Sequence, residues 1–299
     1  MKKDTRILVT GANGQLGYDT VRELTERGYT DVRGIDVEDL DITDEAAVRH
    51  YIASYRPEVV MHNAAWTAVD KAEEMPERVY AVNALGTGYI AAACRDVGAK
   101  MLYISTDYVF PGDGDGYYEP QDEKGPLGTY GKTKSAGEDL VRELLDRWFI
   151  VRISWVFGIH GNNFVKTMLR LAETKTELSV VCDQIGSPTY TYDLSKLLCD
   201  MIETERYGIY HATNEGVCSW YEFAKYIFEV AGVTGMRVDP ILTRDYQARV
   251  RQAYRPLNSR MSKDKLVESG FHRLPDWQDA VRRYITEELQ IRGEVQKHE

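Results

Sequence analysis

Three glycines in one turn constrain this chain more than any other feature. The segment Thr10-Gly-Ala-Asn-Gly-Gln-Leu-Gly17 puts glycine at positions 11, 14 and 17. It follows the β-rich run Arg6-Ile-Leu-Val-Thr10 and precedes an amphipathic stretch, Gln15 to Arg27, with Leu16, Val21 and Leu24 on one face. Strand, glycine turn and helix in that order make a phosphate cradle. Gly11 permits the tight turn, Gly14 lets the backbone approach a pyrophosphate, and Gly17 allows close packing of helix on strand. The helix start then presents unpaired N–H groups and a partial positive charge to an anion, and Asn13 lies in the same turn. Asp36 ends a second run, Val32-Arg-Gly-Ile-Asp36, 19 residues after Gly17. An acid there accepts hydrogen bonds from an adenosine ribose, which favours NAD; a 2′-phosphate is repelled unless Arg33 or another cation compensates.

Beyond the turn, short apolar runs alternate with helical patterns. Glu58-Val-Val-Met-His62, Lys100 to Ser105 and Phe149 to Ile153 read as further strands. Glu45 to Tyr55, a long Ala-rich stretch reaching Val97, and Thr129 to Asp146 read as helices. Near-continuous apolar strands between helices imply a parallel sheet covered on both faces, so the expected fold class is α/β, a Rossmann-like doubly wound sheet. The expected division is a cofactor domain over 1–157, with later segments around 178–210 returning to it, and a smaller α/β substrate lobe over 158–299. Past Phe157, helices are expected at Asn163–Glu173, Tyr192–Glu205, Trp220–Val230 and Asp276–Glu288, with Gly293–Glu299 frayed.

Charge and composition narrow the partners. With 37 basic and 47 acidic residues the net charge is −10 and there is no basic stripe, which excludes nucleic acid as the main partner and gives no pull toward an anionic membrane. The N-terminus lacks a signal-peptide core, and no apolar run approaches the ~20 residues that span a bilayer. Cys94, Cys182, Cys199 and Cys218 share no metal-ligand spacing and are expected as reduced thiols in a cytoplasmic protein. Asp113-Gly-Asp-Gly116 begins like a calcium loop, but the twelfth position is Lys124, so a surface turn is expected. No metal is expected.

Chemistry enters with Tyr130-Gly-Lys-Thr-Lys134. Positions i and i+4 share a helix face, and a cation there lowers a phenol toward working pH. Thr106, ending the fourth strand 24 residues earlier, offers a hydroxyl to a substrate carbonyl and to the phenol. Tyr130, Lys134 and Thr106 are therefore the candidate catalytic residues. Asn63-Ala-Ala65 ends the third strand, where the Ala64 and Ala65 backbone can line a cofactor. The glycine spacing together with Tyr-x-x-x-Lys resembles the short-chain dehydrogenase/reductase superfamily. Asn83 matches an asparagine that, in that superfamily, supports the site from the next helix.

A narrower resemblance rests on longer stretches. These include Ala65-Trp-Thr-Ala-Val-Asp-Lys-Ala-Glu73, Ser105-Thr-Asp-Tyr-Val-Phe-Pro-Gly112 and Tyr130 to Glu138. Arg152-Ile-Ser-Trp-Val-Phe-Gly158, Gly161-Asn-Asn-Phe164 and Arg255-Pro-Leu-Asn-Ser259 continue the set. Over nearly its whole length the chain resembles the dTDP-4-dehydrorhamnose reductases. That resemblance implies reduction of a 4-keto group by NADPH or NADH, with Tyr130 as proton donor, Lys134 gripping the nicotinamide ribose, and Thr106, Asp107 and Trp155 on the sugar. It also implies that Gly14, Gln15, Leu16, Asp41, Ile42 and the backbone from Ala65 through Trp66 to Thr67 surround the cofactor. A dTDP-sugar is the implied partner, and the protein is expected as monomer or homodimer. Nucleotide-sugar epimerases and dehydratases use the same Tyr, Lys and Thr, although dehydratases follow the threonine with Asp-Glu where this chain has Asp107-Tyr108. A related non-catalytic regulatory subunit is the alternative from another class. Both implied ligands are anions, so the cleft is expected to be locally positive through the glycine turn, Lys134 and Arg255.

Overall fold

Ile7, Leu8 and Val9 are fully buried, and successive side chains of a strand leave on opposite faces. Ile7 and Val9 join one apolar cluster with Met61, Leu102 and Val151, whereas Leu8 joins another with Val60, Met101 and Ile150. Burial on both faces is why these strands show no polar alternation in the sequence. The computed structural model describes residues 1–250 and 252–289, so Gly293–Glu299 lies outside the described residues.

The sheet has six strands: β1 (Ile7–Thr10), β2 (Val32–Ile35), β3 (Val59–His62), β4 (Lys100–Thr106), β5 (Trp148–Ile153) and β6 (Gly208–His211). All pairings are parallel, in the order β6-β5-β4-β3-β1-β2. Asp36 falls one residue past β2. The order reverses at β1, which has β2 on one side and β3 on the other, so a crevice opens at their carboxyl ends. Helices α1 (Gln15–Glu26), α2 (Glu45–Tyr55), α3 (Thr87–Val97), α4 (Thr129–Leu144) and α5 (Thr191–Ile202) cover the faces.

The Ala-rich stretch before β4 is not one helix. It breaks into Val69–Ala72, Pro76–Tyr80, a π-helical turn Ala81–Gly86, and α3. Pro76 occupies the first turn of its segment, where its missing N–H costs nothing. The π turn, a local widening common at functional sites, carries the buried Asn83.

After Phe157 the chain leaves the sheet. Asn163 caps the helix Phe164–Ala172 by accepting the Lys166 N–H, and Ser219 with Glu222 forms a capping box on Trp220–Val230. Glu177–Val181 pairs in parallel with Arg237–Ile241, outside the main sheet. Trp277–Arg283 runs into a π-helical turn, Tyr284–Leu289. Phe157, Phe223, Trp277 and Tyr284 belong to this region's own core. Between these elements α5 packs along α1, and β6 closes the sheet beside β5.

Cys94, Cys199 and Cys218 are buried, Cys182 is half-buried, and all four are free thiols. The Asp113 and Gly116 carbonyls accept from Asn258 Nδ2 at 3.1 and 2.8 Å, so that turn ties down a neighbouring strand. Among the described residues no group of three or more His, Cys, Asp or Glu could hold a metal ion, and no helix is long and apolar enough to cross a membrane.

Helix α4 is anchored by a buried charge pair. Arg152 on β5 donates from Nε and Nη2 to the two Glu138 oxygens, each at 2.8 Å, and Ser105 Oγ donates to Oε1 at 2.6 Å. Burial pushes the Glu138 carboxyl up, yet the Arg152 guanidinium and the Ser105 hydroxyl hold it below the ordinary range. Removing one partner of such a pair strands the other charge in a dry interior. Glu138→Ala should therefore lower unfolding free energy by ~3–5 kcal/mol in a urea titration; a loss under ~1 kcal/mol would mean that solvent reaches Arg152.

Candidate active site

The glycine turn sits at the crevice mouth. Gly11 has φ +66°, and a Cβ there would lie 2.8 Å from the Ala64 backbone. At Gly17 a Cβ would stand 2.0 Å from the Gly11 carbonyl oxygen, so only glycine lets α1 start this close to β1. The Asn13 N–H donates to Asp36 Oδ2 at 3.0 Å, which joins the turn to the acid beyond β2. The side chain of Leu16 is buried in the core, so only its backbone belongs to the cradle. Asp41 is turned in on itself, accepting from the Thr43 N–H and Oγ–H, and Ile42 packs toward Gly86. Arg33 lies 4.0 Å over the Tyr55 ring.

The second wall begins at β3. His62 Nδ1 meets Thr10 Oγ at 2.7 Å, and Nε2 meets Thr87 Oγ at 3.1 Å. Burial, then the charge of Lys134, takes His62 down to about 3, so it is a neutral link between β1 and α3. The Ala64 N–H points to Thr10 Oγ at 3.3 Å. Asn83 accepts from the Trp66 N–H at 2.7 Å and donates to the Trp66 carbonyl at 3.2 Å and to Thr133 Oγ at 3.2 Å. One side chain thus fixes the Ala65–Trp66 backbone and ties it to α4.

Tyr130, Lys134 and Glu138 recur every fourth residue on α4 and face the sheet. Glu73 caps the helix from another segment, taking the Thr129 N–H at 2.7 Å. Tyr130 is half-buried; desolvation pushes its phenol up, and the nearby Thr106 hydroxyl pulls it partly back. Lys134 differs from the expectation. Its Nζ donates to the Ile104 carbonyl at 2.7 Å and lies 4.1 Å over the Tyr103 ring. Burial lowers it to about 7 against the opposing pull of Glu138. Lys134 is not among the groups that act on the Tyr130 phenol, whose shift is governed by desolvation.

Beside the phenol, Thr106 Oγ donates to Asp107 Oδ1 at 2.9 Å and accepts the Tyr108 N–H at 3.3 Å. Ser259 Oγ donates to Asp107 Oδ2 at 2.5 Å. Burial raises Asp107 to about 6 although both hydroxyls favour its charged form. Tyr108 meets Tyr130 edge-on, with ring centroids 5.4 Å apart.

Tyr108 and Ser259 also border a cavity of about 500 Å³ between sheet and lobe, with Trp155, Trp220, Phe164 and Arg255 in its wall. Trp155 has φ +49°, a region that costs a bulky residue about 1–3 kcal/mol, and its ring stacks on Trp220 at 3.8 Å. Arg255 is not the free cation expected from the sequence, because Nη2 is paired with Asp70 at 2.8 Å.

The profile of the RmlD substrate binding domain family matches residues 5–290. A dTDP-4-dehydrorhamnose reductase of Aggregatibacter actinomycetemcomitans is 41% identical over 288 residues, covering 93% of this chain and 97% of that protein. The chain belongs to the dTDP-4-dehydrorhamnose reductase family. Another relative, the spore coat polysaccharide biosynthesis protein SpsK of Bacillus subtilis, is 42% identical over 95% of this chain and 98% of its own. The solved dTDP-4-dehydrorhamnose reductase of Bacillus anthracis, in complex with NADP, superposes with a TM-score of 0.91 at 43% identity, over 95% of this chain and 99% of that one.

Within this reductase-family fold, Thr106, Asp107, Tyr130 and Lys134 come together at the carboxyl edge, and Trp155 stands across the cavity. Sequence reading passed over Glu138, Arg152, Glu73 and Ser259. Glu138 was visible in principle, since it continues the i, i+4 series of Tyr130 and Lys134. The desolvation of the Tyr130 phenol gives a spectroscopic expectation. A phenolate titration of wild type minus Tyr130→Phe should show no ionisation below pH ~10, the ordinary tyrosine value. A difference signal near neutrality would mean that Lys134, not burial, governs the phenol.

Proposed function

We propose that this protein reduces the 4-keto group of dTDP-4-dehydro-β-L-rhamnose to give dTDP-β-L-rhamnose, using NADPH or NADH. The observation that carries the reading is Tyr130 beside Thr106 near the 500 Å³ cavity, in a chain of this family. The glycine turn fits a dinucleotide: Gly14 is exposed at the mouth, and a Cβ at Gly11 or Gly17 would collide with backbone. Gly11 to Gly17 would hold the pyrophosphate, Asp36 the adenosine ribose, and the backbone from Ala64 to Trp66 the nicotinamide half.

A bound reduced nicotinamide supplies hydride to the carbonyl carbon. The chain supplies the rest. Thr106 and Asp107 hold the sugar, and Trp155 lies along it. Tyr130 gives its phenolic proton to the carbonyl oxygen as negative charge develops there. Lys134 holds the nicotinamide ribose, and its cationic form favours transfer from Tyr130 because it stabilises the phenolate left behind. The reading carries with it a cytoplasmic monomer or homodimer that requires no metal.

The test is direct. Reduced-nicotinamide absorbance should fall when protein, NADPH or NADH, and dTDP-4-dehydrorhamnose are mixed, and no loss with either dinucleotide would sink the proposal. Tyr130→Phe should still bind dinucleotide while turnover drops ~10²–10⁴-fold, the usual worth of a positioned acid.

The pH profile of kcat/KM reports groups of the free enzyme. Lys134 is lowered to about 7, so its cation is present below that pH and is lost above it. The profile should fall as pH rises through about 7. In Lys134→Arg, whose cation persists, that limb should vanish; an unchanged limb would assign it to another group.

A further inference from the structure

Both oxygens of Asp36 are held by backbone: Oδ2 accepts the Asn13 N–H at 3.0 Å and Oδ1 accepts the Val37 N–H at 2.8 Å. Asp39 turns back onto the same loop, where its Oδ2 accepts the Asp36 N–H at 3.0 Å. The Asp39 and Leu40 N–H groups donate to the Asp36 carbonyl at 2.9 and 3.0 Å and close the turn. Two carboxylates are thus pinned in one turn past β2, and one of them is bonded to the glycine turn itself. Neither can swing aside without giving up a backbone hydrogen bond. Glu38 lies exposed between them. A carboxylate offers about four lone-pair positions. With two used at Asp36 by backbone, the rest suit the 2′- and 3′-hydroxyls of a ribose.

The sequence leaves open whether a cation offsets these acids, and the structure answers for Arg33. Gly34 faces Ala12 and Val21 on the α1 side of β2, so Arg33 leaves on the other side. There its guanidinium lies 4.0 Å over the Tyr55 ring, and Ile35, on the same face, is buried in the cluster that holds Tyr55. Arg78 lies 5.4 Å over the Trp66 ring and acts on Asp41. Among the described residues no Lys or Arg forms an ion pair with Asp36, Glu38 or Asp39. We propose that Asp36 and Asp39 make this protein select NADH over NADPH. This rests on the placement of the adenosine ribose at Asp36 proposed above. A 2′-phosphate carries a charge of about −1.5 to −2 and brings acceptors where Asp36 needs donors. It would replace a hydroxyl that donates to Asp36 with a group that both carboxylates repel. The Bacillus anthracis relative was solved with NADP, so the selection belongs to this turn and not to the fold.

Titration calorimetry without a sugar reads the selection directly. The wild-type Kd for NADH should lie ~10–100-fold below that for NADPH, the worth of one or two like charges in a partly screened site. Asp39→Asn keeps an oxygen for the Asp36 N–H and removes a charge, so it should narrow that ratio about threefold or more. Asp36→Asn removes a charge and an acceptor for the diol, so it should weaken NADH and tighten NADPH. Raising salt from about 0.1 M to about 1 M shortens the screening length from ~10 to ~3 Å and should also narrow the ratio, because it masks a repulsion. Salt that widens the ratio would mean that cations hold the 2′-phosphate. That result, NADPH bound as tightly as NADH, or a ratio unchanged in both variants overturns the selection. Binding of neither dinucleotide would instead overturn the placement on which it rests. Because no sugar is present, an error in the sugar substrate leaves the test intact.

Discussion

The Glu138–Arg152 pair is the contact on which the site depends. It joins the face of α4 that carries Tyr130 and Lys134 to the strand β5, and Ser105 adds β4 to the same carboxylate. An ion pair closed from water and satisfied on every side has few alternative geometries. With Glu73 fixing the first turn and Ile104 receiving the Lys134 ammonium, the helix is held at its start, middle and third turn. The Tyr130 phenol sits between those anchors, so its place relative to Thr106 is set by the sheet, not by the loop that precedes the helix.

The two sides of the crevice are linked across the fold as well as along the sheet. His160 Nδ1 meets the Asn13 carbonyl at 2.7 Å, and Asn163 Nδ2 donates to the Gln15 side chain at 3.1 Å. Both contacts come from the segment that opens the lobe and end on the glycine turn. Electrostatically the cleft is more restrained than a count of cations suggests: Lys134 is half-neutral near pH 7 and Arg255 is paired with Asp70. With those two muted, attraction for an anion falls mainly on aligned backbone N–H groups at the turn.

Much of this was legible in the sequence because it is local. Strand burial shows as runs such as Ile7-Leu-Val9, the turn shows as spaced glycines, and Tyr130 with Lys134 shows as a helical repeat. What was not legible depends on distance or on competition. Arg152 finds Glu138 across the strand-to-helix interface, and Ser259 finds Asp107 across 152 residues; neither pairing leaves a period. The Ala-rich stretch reads as one helix because alanine favours helix everywhere. Its interruption at Ala81–Gly86 comes from what Asn83 must hold, the Trp66 backbone. The charge state of Lys134 was missed for a similar reason: spacing places a cation, but only burial says whether it stays charged.

The sixth strand closes the sheet only after a long excursion. Gly208–His211 pairs with β5, while the chain between Phe157 and Thr191 builds helix and strand elsewhere. Until that return is made, β5 is an open edge, with a row of unpaired N–H and C=O groups ready to pair with another chain. The contact also spans about sixty residues, and closing such a loop is slow compared with forming the neighbouring strand–helix units. For a newly made chain, the period between completing β5 and capturing β6 is therefore the interval of greatest exposure to misassembly. The part of the chain between Phe157 and Thr191 must be made before the six-stranded sheet can be closed.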